Sequence, residues 1–289
     1  MEISDSTSRR NALRMLGAGI FVPNILIPRQ SIAEETRALR AIRVQPPTIV
    51  GKSAIVIDPN ARKVLYTKNA DTRRPVASTQ KLLTALLSVE HGDLNGLITV
   101  AKTDTQVEPT KLYVAAGQRY RRSALVEALL VKSGNDLARV LARDYAGSQE
   151  AFSKVMNERA KRLGMRNSNF ITSNGLPASG QYSTARDMGI LGLACYNNRT
   201  IRSYIKEKAI NFHYADGRVV ALSNTNKLLS RSPYCNGMKT GYTNASGKCL
   251  ISSGARGRTE AIVVILGCSS SNVCWDDSHK LLHWGLGLS

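Results

Sequence analysis

The sequence predicts a mixed α/β fold, an α+β sandwich in which one sheet and a helical subdomain enclose a cleft. Two observations predict it. Strand-like runs lie near both ends of the chain, at 53–67 and 237–266, whereas apolar residues recur at helical spacing over much of 75–196. This order is best satisfied when the terminal strands share one sheet and the middle of the chain packs beside it.

A single large domain is expected over residues 34–289. The chain has 289 residues, and its hydrophobic content of 43% is ordinary for a globular enzyme. It contains neither an internal repeat nor a low-complexity linker, so a second independent domain is not predicted.

The first predicted sheet element is a hairpin, in which Ser53–Ile57 and Val64–Thr67 are strand-like and Asp58-Pro59-Asn60-Ala61 supplies the turn. A helix follows, with an apolar stripe over Leu82–Leu87 and an end near Gly92.

Further helices are predicted from apolar spacing at 123–132, 136–145 and 150–163, and Thr184-Ala185-Arg186-Asp187 resembles a capping box that opens another helix toward Tyr196. Three strands are predicted near the C-terminus, at Gly237–Tyr242, Lys248–Ser253 and Thr259–Leu266. Asp276 or Asp277 is expected to cap a final helix through Trp284.

Residues 1–33 are typical of an export signal. Paired arginines at 9 and 10 fit a twin-arginine signal, an apolar stretch covers Met15–Val22, and small residues at 31–33 suit cleavage, although the cleavage point stays open. No later run approaches the roughly 20 apolar residues that a bilayer span requires. The protein is therefore expected in the periplasm or cell envelope, with at most peripheral or signal-anchored membrane contact. A frayed arm of a cytosolic protein is the alternative.

The formal net charge of +19 belongs mostly to the predicted domain, because residues 1–33 contain only four Lys/Arg and two Asp/Glu. An exported cation of this size suits an anionic polymer such as a cell wall, and a generally basic solvated surface explains the charge equally well. Nucleic acid fits poorly as a partner, because the basic residues are scattered among acids without a nucleic-acid motif.

The cysteines argue against a metal site, because no C-x-x-C pair and no nearby histidine pair accompanies them. They are Cys195, Cys235, Cys249, Cys268 and Cys274. One or two disulfides are compatible with an oxidising compartment, Cys268 and Cys274 being the closest pair in sequence, and the odd number leaves at least one thiol free. No cofactor is predicted.

The segment Ser78-Thr79-Gln80-Lys81 supplies a predicted nucleophile and its base. On a helix Ser78 and Lys81 share one face, and the free N–H groups at a helix start favour an oxyanion. Lysine acts as a base only when its pKa falls. A second ammonium about 4 Å away contributes roughly 4 kcal/mol, or about three pKa units, and Lys239 with partial burial is expected to supply it. Taken alone, the tetrapeptide more often represents an N-cap serine and a surface lysine.

A second motif, Ser133-Gly134-Asn135, follows an apolar helical run. The Ser133 hydroxyl is expected to pass a proton toward a leaving amine, and the Asn135 amide to bond both Lys81 and a substrate peptide group. In isolation such a tripeptide is more often a simple turn.

A third motif, Lys239-Thr240-Gly241, begins a predicted strand whose glycine lets a substrate backbone approach as an added strand. Lys239 and Thr240 are expected to hold a substrate carboxylate, and the N–H groups of Ser78 and Tyr242 to form an oxyanion hole. A hairpin edge with a solvated lysine is the alternative for this tripeptide, so the specificity lies in the three motifs together.

From about Gly51 to Leu286 the chain resembles the penicillin-binding D-alanyl-D-alanine carboxypeptidases of the serine beta-lactamase and penicillin-binding superfamily. The resemblance rests on Pro75–Lys81, Asn174-Gly175-Leu176, Tyr182–Met188 and Gly237–Thr243. It implies a beta-lactamase/transpeptidase-like fold with an antiparallel sheet flanked by helices. It also implies acylation of Ser78 by the penultimate D-Ala of peptidoglycan stem peptides, hydrolysis of the acyl-enzyme, and acylation of the same serine by beta-lactam antibiotics.

Two departures from the family pattern are expected to matter. Many relatives carry a further beta domain with an amphipathic helix, for which the sequence up to Ser289 leaves no room, so a short form is expected. Relatives also commonly place an arginine near the substrate's terminal carboxylate, where this sequence has Cys274. Terminal D-Ala binding is therefore expected to be weakened and to rest on Lys239, Thr240 and any other nearby cation.

The leading hypothesis is a serine-type D-Ala-D-Ala carboxypeptidase that remodels the cell wall, and the alternative is an endopeptidase that cuts D-Ala cross-links. A beta-lactamase is less favoured, because Glu150 and Glu158 lie in a predicted helix rather than in a deacylating loop. A non-enzymatic wall-binding protein is disfavoured, because every motif residue is present.

Overall fold

The computed structural model describes residues 45–288, so the predicted export signal at 1–33 lies outside the described residues. The first half contains β1 (Ser53–Asp58), β2 (Lys63–Lys68), a 3₁₀ turn (Ala77–Gln80), α1 (Lys81–Glu90), β3 (Leu97–Thr99), α2 (Lys102–Thr105), β4 (Arg119–Arg121), α3 (Arg122–Lys132), α4 (Asn135–Ala146) and α5 (Gln149–Leu163). The second half contains α6 (Ala185–Asn197), α7 (Arg199–Ile205), β5 (Ala209–His213), β6 (Val219–Ser223), α8 (Leu228–Arg231), β7 (Cys235–Thr243), β8 (Gly247–Arg256), β9 (Thr259–Cys268) and α9 (Ser271–Gly285).

One five-stranded antiparallel sheet joins the two ends of the described chain in the order β2-β1-β9-β8-β7. The prediction that the terminal strands share one sheet is confirmed. Two short two-stranded sheets, β3-β4 and β5-β6, lie outside this sheet and are absent from the prediction, because three to five residues carry too little periodicity to detect.

The two faces of the sheet pack against different hydrophobic cores, because successive side chains along each strand point to opposite faces. In β9, Ile262, Val264 and Leu266 join the helical subdomain's core, which includes residues of α1, α3 and α6. Ala261, Val263 and Ile265 face the other way, into a smaller core with Leu281 and Leu282 of α9. Side chains of neighbouring residues point to opposite faces of a strand, so every second residue enters the same core.

The cap of the last helix differs from the prediction. Ser270 caps α9, its hydroxyl accepting a hydrogen bond from the backbone N–H of Val273 at 3.2 Å. Asp277 lies inside the helix, and its buried carboxylate accepts hydrogen bonds from the N–H groups of Val50 and Gly51. A contact across 226 residues fixed its role, and local sequence contained no sign of it.

The predicted capping box at the start of α6 is half correct. The Thr184 hydroxyl accepts a hydrogen bond from the Asp187 N–H at 3.0 Å, as an N-cap does. The Asp187 carboxylate does not return to Thr184. It accepts hydrogen bonds from the N–H of Asn167 and the hydroxyl of Ser168, so it fastens the preceding loop to the helix.

Within residues 45–288 no helix is long and apolar enough to cross a bilayer. The same residues contain no group of three or more His, Cys, Asp or Glu arranged to hold a metal ion. All five cysteines are buried free thiols, so none of the disulfides that the sequence left open is formed in this structure.

Candidate active site

The three motifs meet where the edge strand β7 packs against the 3₁₀ turn and α3. At this junction lies a cleft of about 410 Å³, whose walls include Ser78, Ser133, Thr240, Gly241 and Tyr242. Lys81, Asn135 and Lys239 are buried. The structure therefore brings together every residue that the sequence nominated, some as cleft wall and some beneath it.

Ser78 lies in the 3₁₀ turn and not in the first turn of an α-helix, which differs from the prediction. The α-helix begins at Lys81, three residues later. Ala77 has a left-handed φ of +48°, and Gly175 approaches its carbonyl so closely that any β-carbon at 175 would collide with it. Packing against the loop at 173–176, rather than the end of a long helix, presents the serine.

Lys81 is fully buried and contacts three oxygen acceptors. Its Nζ lies 2.7 Å from each of the Ser78 hydroxyl, the Asn135 Oδ1 and the Asn174 carbonyl oxygen. Three acceptors match the three hydrogens of an ammonium, so the side chain is held in one orientation with its nitrogen beside the serine oxygen.

The surroundings lower the pKa of Lys81 well below its usual value. Burial is the largest cause, the charge of Lys239 is the second, and the carboxylate of Asp136 opposes both. The sequence predicted the direction and both causes, but it ranked the neighbouring ammonium first. Burial leads because a charged amine loses most of its hydration inside the protein.

Asn135 is the first residue of α4 and links two parts of the site. Its Oδ1 accepts the hydrogen bond from Lys81, while its Nδ2 donates to the Glu108 carbonyl at 2.8 Å. The amide that was expected to bind substrate is thus engaged with the protein in this structure. Ser133 is the C-cap of α3 and has a left-handed φ of +74°, and it forms part of the cleft wall.

Two residues that support the site were missing from the predicted set. Asn174 supplies the carbonyl that receives Lys81, and its own side chain accepts a hydrogen bond from Leu176 N–H. Asp136 is buried, and its carboxylate accepts hydrogen bonds from the backbone N–H groups of Leu112 and Tyr113. These bonds anchor the loop that contains both residues. Asn174-Gly175-Leu176 carries part of the family resemblance, but nothing in the local sequence indicates that its backbone lies beside Lys81.

Lys239 and Gly241 lie on one side of β7, named here the subdomain face. Their register partners on β8, Ile251 and Cys249, belong to the subdomain core. A β-carbon on Gly241 would lie 2.9 Å from the Ser78 nitrogen, so glycine is needed for this close approach. Lys239 is fully buried, and burial lowers its pKa to about 7. It does not line the cleft, where it was expected to hold a carboxylate.

Thr240 and Tyr242 lie on the opposite side of β7, named here the α9 face, because Leu250, the partner of Thr240, packs in the core with α9. The Thr240 hydroxyl donates a hydrogen bond to the Thr225 hydroxyl at 2.8 Å, and both residues line the cleft. The Tyr242 side chain is 53% exposed and its hydroxyl bonds Asn244.

A family model described as D-alanyl-D-alanine carboxypeptidase matches residues 40–270. The chain belongs to this family. Among curated relatives, DacC of Escherichia coli is 33% identical over 96% of this chain and 70% of its own length. DacB2 of Mycobacterium tuberculosis is 32% identical over 81% and 82%, and a D-alanyl-D-alanine endopeptidase of Pseudomonas aeruginosa is 31% identical over 80% and 76%. The match to DacF of Bacillus subtilis covers only 58% of that protein.

Solved structures agree with this assignment. A D-alanyl-D-alanine carboxypeptidase from Mycobacterium tuberculosis superposes with a TM-score of 0.81 at 31% identity, covering 86% of this chain and 96% of its own. The Streptomyces K15 DD-transpeptidase gives 0.79 at 28% identity, covering 84% and 99%. The predicted family and transpeptidase-like fold are confirmed, and the protein is a serine peptidase, hence a hydrolase.

Proposed function

We propose that this D-alanyl-D-alanine carboxypeptidase trims peptidoglycan stem peptides through an acyl-enzyme on Ser78. The observation that carries the proposal is the 2.7 Å contact between the Ser78 hydroxyl and the Nζ of Lys81, whose pKa is lowered by burial and by Lys239. The lowered pKa increases the neutral fraction of Lys81, and the neutral amine can accept the serine proton through this contact as the oxygen attacks a carbonyl.

The remaining steps are assigned to neighbouring groups. Ser78 oxygen attacks the penultimate D-Ala carbonyl, Lys81 takes the hydroxyl proton, and the N–H groups of Ser78 and Tyr242 stabilise the oxyanion. The Ser133 hydroxyl passes a proton to the departing amine and is reprotonated from Lys81, so D-Ala leaves and Lys81 is neutral again. Water then attacks the ester carbonyl and gives a proton to Lys81. That proton returns to the Ser78 oxygen as the ester bond breaks and the shortened stem peptide leaves with a free carboxylate.

The same serine is proposed as the target of beta-lactam antibiotics, and the acyl-enzyme they form is expected to persist. Within the described residues no Asp or Glu lines the cleft, so no carboxylate is in place to activate a deacylating water. Glu150 lies at the exposed start of α5, and Glu158 lies later in the same helix. This arrangement disfavours a fast beta-lactamase.

The proposed site of action is the periplasm or cell envelope, because the substrate polymer lies there and residues 1–33 have the composition of an export signal. A reporter fused after residue 33 tests this part independently of catalysis. Export that survives replacement of both Arg9 and Arg10 by lysine would exclude the twin-arginine route.

A second candidate function is cutting of D-Ala cross-links between stem peptides. The observation in its favour is the relative from Pseudomonas aeruginosa named as an endopeptidase, which matches 80% of the chain. Both reactions use the same acyl-enzyme and differ only in the leaving amine.

Purified protein incubated with defined muropeptides separates the two candidates. Monomeric pentapeptides and D-Ala cross-linked dimers are supplied in parallel, products are identified by mass, and Ser78→Ala is the control. Release of free D-Ala by the wild type alone supports trimming, and conversion of dimer to monomers supports cross-link cutting. Binding of either substrate without turnover by a folded wild type would reject the peptidase assignment.

A further inference from the structure

Two cations line the cleft in the described part of the chain, Lys132 and Lys248. Lys81 and Lys239 are both fully buried beneath it. Burial lowers the pKa of Lys239 to about 7, so near neutral pH this residue is only partly protonated. Among residues 45–288, a carboxylate that enters the cleft can therefore reach a full positive charge only at 132 or 248.

Lys248 lies on the same side of the sheet as the Thr240 hydroxyl. Tyr242 pairs with Lys248 and Thr240 with Leu250 in the antiparallel register, and directly paired residues point to the same face. Lys248 is thus on the α9 face, where Cys274 continues the cleft wall. Lys132, by contrast, ends α3 on the helical subdomain.

The Lys248 ammonium is held at the cleft without a competing anion. Its Nζ lies 3.5 Å from the centroid of the Tyr242 ring. Among residues 45–288 no carboxylate forms an ion pair with it. A cation binds an aromatic ring face more weakly than it binds a carboxylate. A substrate carboxylate that enters the cleft can therefore replace the Tyr242 ring as the partner of the ammonium.

We propose that Lys248 is a specificity-determining residue that binds the terminal carboxylate of the substrate. The inference rests on the proposed carboxypeptidase function, because removal of a C-terminal residue brings a free α-carboxylate into the cleft. Tyr242 holds the ammonium before substrate arrives, and the Thr240 hydroxyl donates to the same carboxylate when it turns away from Thr225. Cys274 is a buried thiol in the same wall, so it supplies neither a second cation for the carboxylate nor an anion that competes for the Lys248 ammonium.

The test compares a pentapeptide ending in D-Ala-D-Ala with the same peptide carrying a C-terminal amide. Lys248→Met is expected to lower the ratio of kcat/KM for acid over amide by about 10- to 100-fold, mainly through KM, because a charge-assisted hydrogen bond is lost. Lys248→Arg keeps a cation and should stay within about threefold of wild type. Lys132→Met, the matched lysine on the other wall, should change the ratio less than about twofold.

Thermal unfolding checks that each variant is folded, and Lys248→Gln provides a second neutral side chain if the methionine variant is not. An unchanged acid-to-amide ratio in a folded neutral variant overturns the role of Lys248, as does a loss confined to Lys132→Met. If the folded wild type cleaves neither peptide, the carboxypeptidase proposal itself fails and this inference fails with it.

Discussion

The two faces of strand β7 differ in what they do with polar groups. On the subdomain face, Lys239 is fully buried and Gly241 lies against the Ser78 nitrogen, so the Lys239 amine is shielded from water. On the α9 face, Tyr242 is 53% exposed and Thr240 opens to the cleft. The alternation of a single strand thus separates the groups that we propose tune proton transfer from the groups that we propose contact the substrate. Variants of the first kind should change rates and pH dependence, and variants of the second kind should change KM.

The largest effect on acylation is expected at Ser78, the proposed nucleophile beside which both faces of β7 lie. Ser78→Ala should lower acylation by a fluorescent penicillin by more than about 1,000-fold, because no other group replaces the nucleophile. Gel fluorescence and mass analysis of the labelled peptide measure it. Ser271→Ala, another hydroxyl on the cleft wall, is the control and should label normally. Covalent label in Ser78→Ala at the wild-type rate would show that the nucleophile is misassigned.

Lys81→Met should lower acylation by about 100- to 10,000-fold, because it removes the proposed general base. The substitution also replaces a buried amine by an apolar side chain of similar length, so the fold should be retained. Stopped-flow acylation against pH checks the assignment, with Lys132→Met as the control. A Lys81→Met enzyme that keeps the acidic-limb midpoint of the wild type would exclude Lys81 as the titrating group.

Lys239→Met should shift the pH profile of acylation. The charge of Lys239 lowers the pKa of Lys81, so its removal raises that pKa and moves the acidic limb of kcat/KM to higher pH. At pH values on the wild-type acidic limb the rate should fall, since a smaller fraction of Lys81 is neutral there. An acidic limb that stays in place or moves to lower pH contradicts the electrostatic role.

The same substitution should change stability in a pH-dependent way. The pKa of Lys239 is about 7 in the folded protein against an ordinary 10.5, so between these pH values the unfolded chain binds more protons. This residue therefore makes the wild type more stable as pH rises from 7 to 10.5, and the contribution disappears in Lys239→Met. Denaturant unfolding at pH 7 and 9 measures it, and equal pH slopes for both proteins would contradict the burial of a titrating amine.

The smallest effect is expected on the α9 face. Thr240→Val removes the hydroxyl that bonds Thr225 and opens to the cleft, so KM for the acid pentapeptide should rise about 3- to 10-fold. The acidic limb should not move, because Thr240 does not contact Lys81. Thr240→Ser restores the hydroxyl and should recover most of the loss. A shifted pH midpoint in Thr240→Val would break the division between the two faces.

Much of the fold was predictable because it depends on local periodicity. The helices at 122–132 and 149–163 and the strands β7, β8 and β9 were expected from apolar spacing and turn residues, and all are present within a few residues of their predicted ends. The cap of α9 was not predictable, because Ser270 and Asp277 are both good capping residues. Only the long-range contact of Asp277 with the N–H groups of Val50 and Gly51 decides between them.

The sequence by itself determined which chemistry was available: a serine three residues before a lysine, two further polar motifs, and an order of strands and helices that brings them to one cleft. Tertiary structure decided how those groups are set. It buried Lys81 and Lys239, brought the Asn174 carbonyl to the base, and left Lys248 at the cleft with a tyrosine ring as its partner. The physical reason is that residue type and spacing fix a side chain's intrinsic chemistry, whereas its pKa and partners depend on hydration and contacts made across the whole chain.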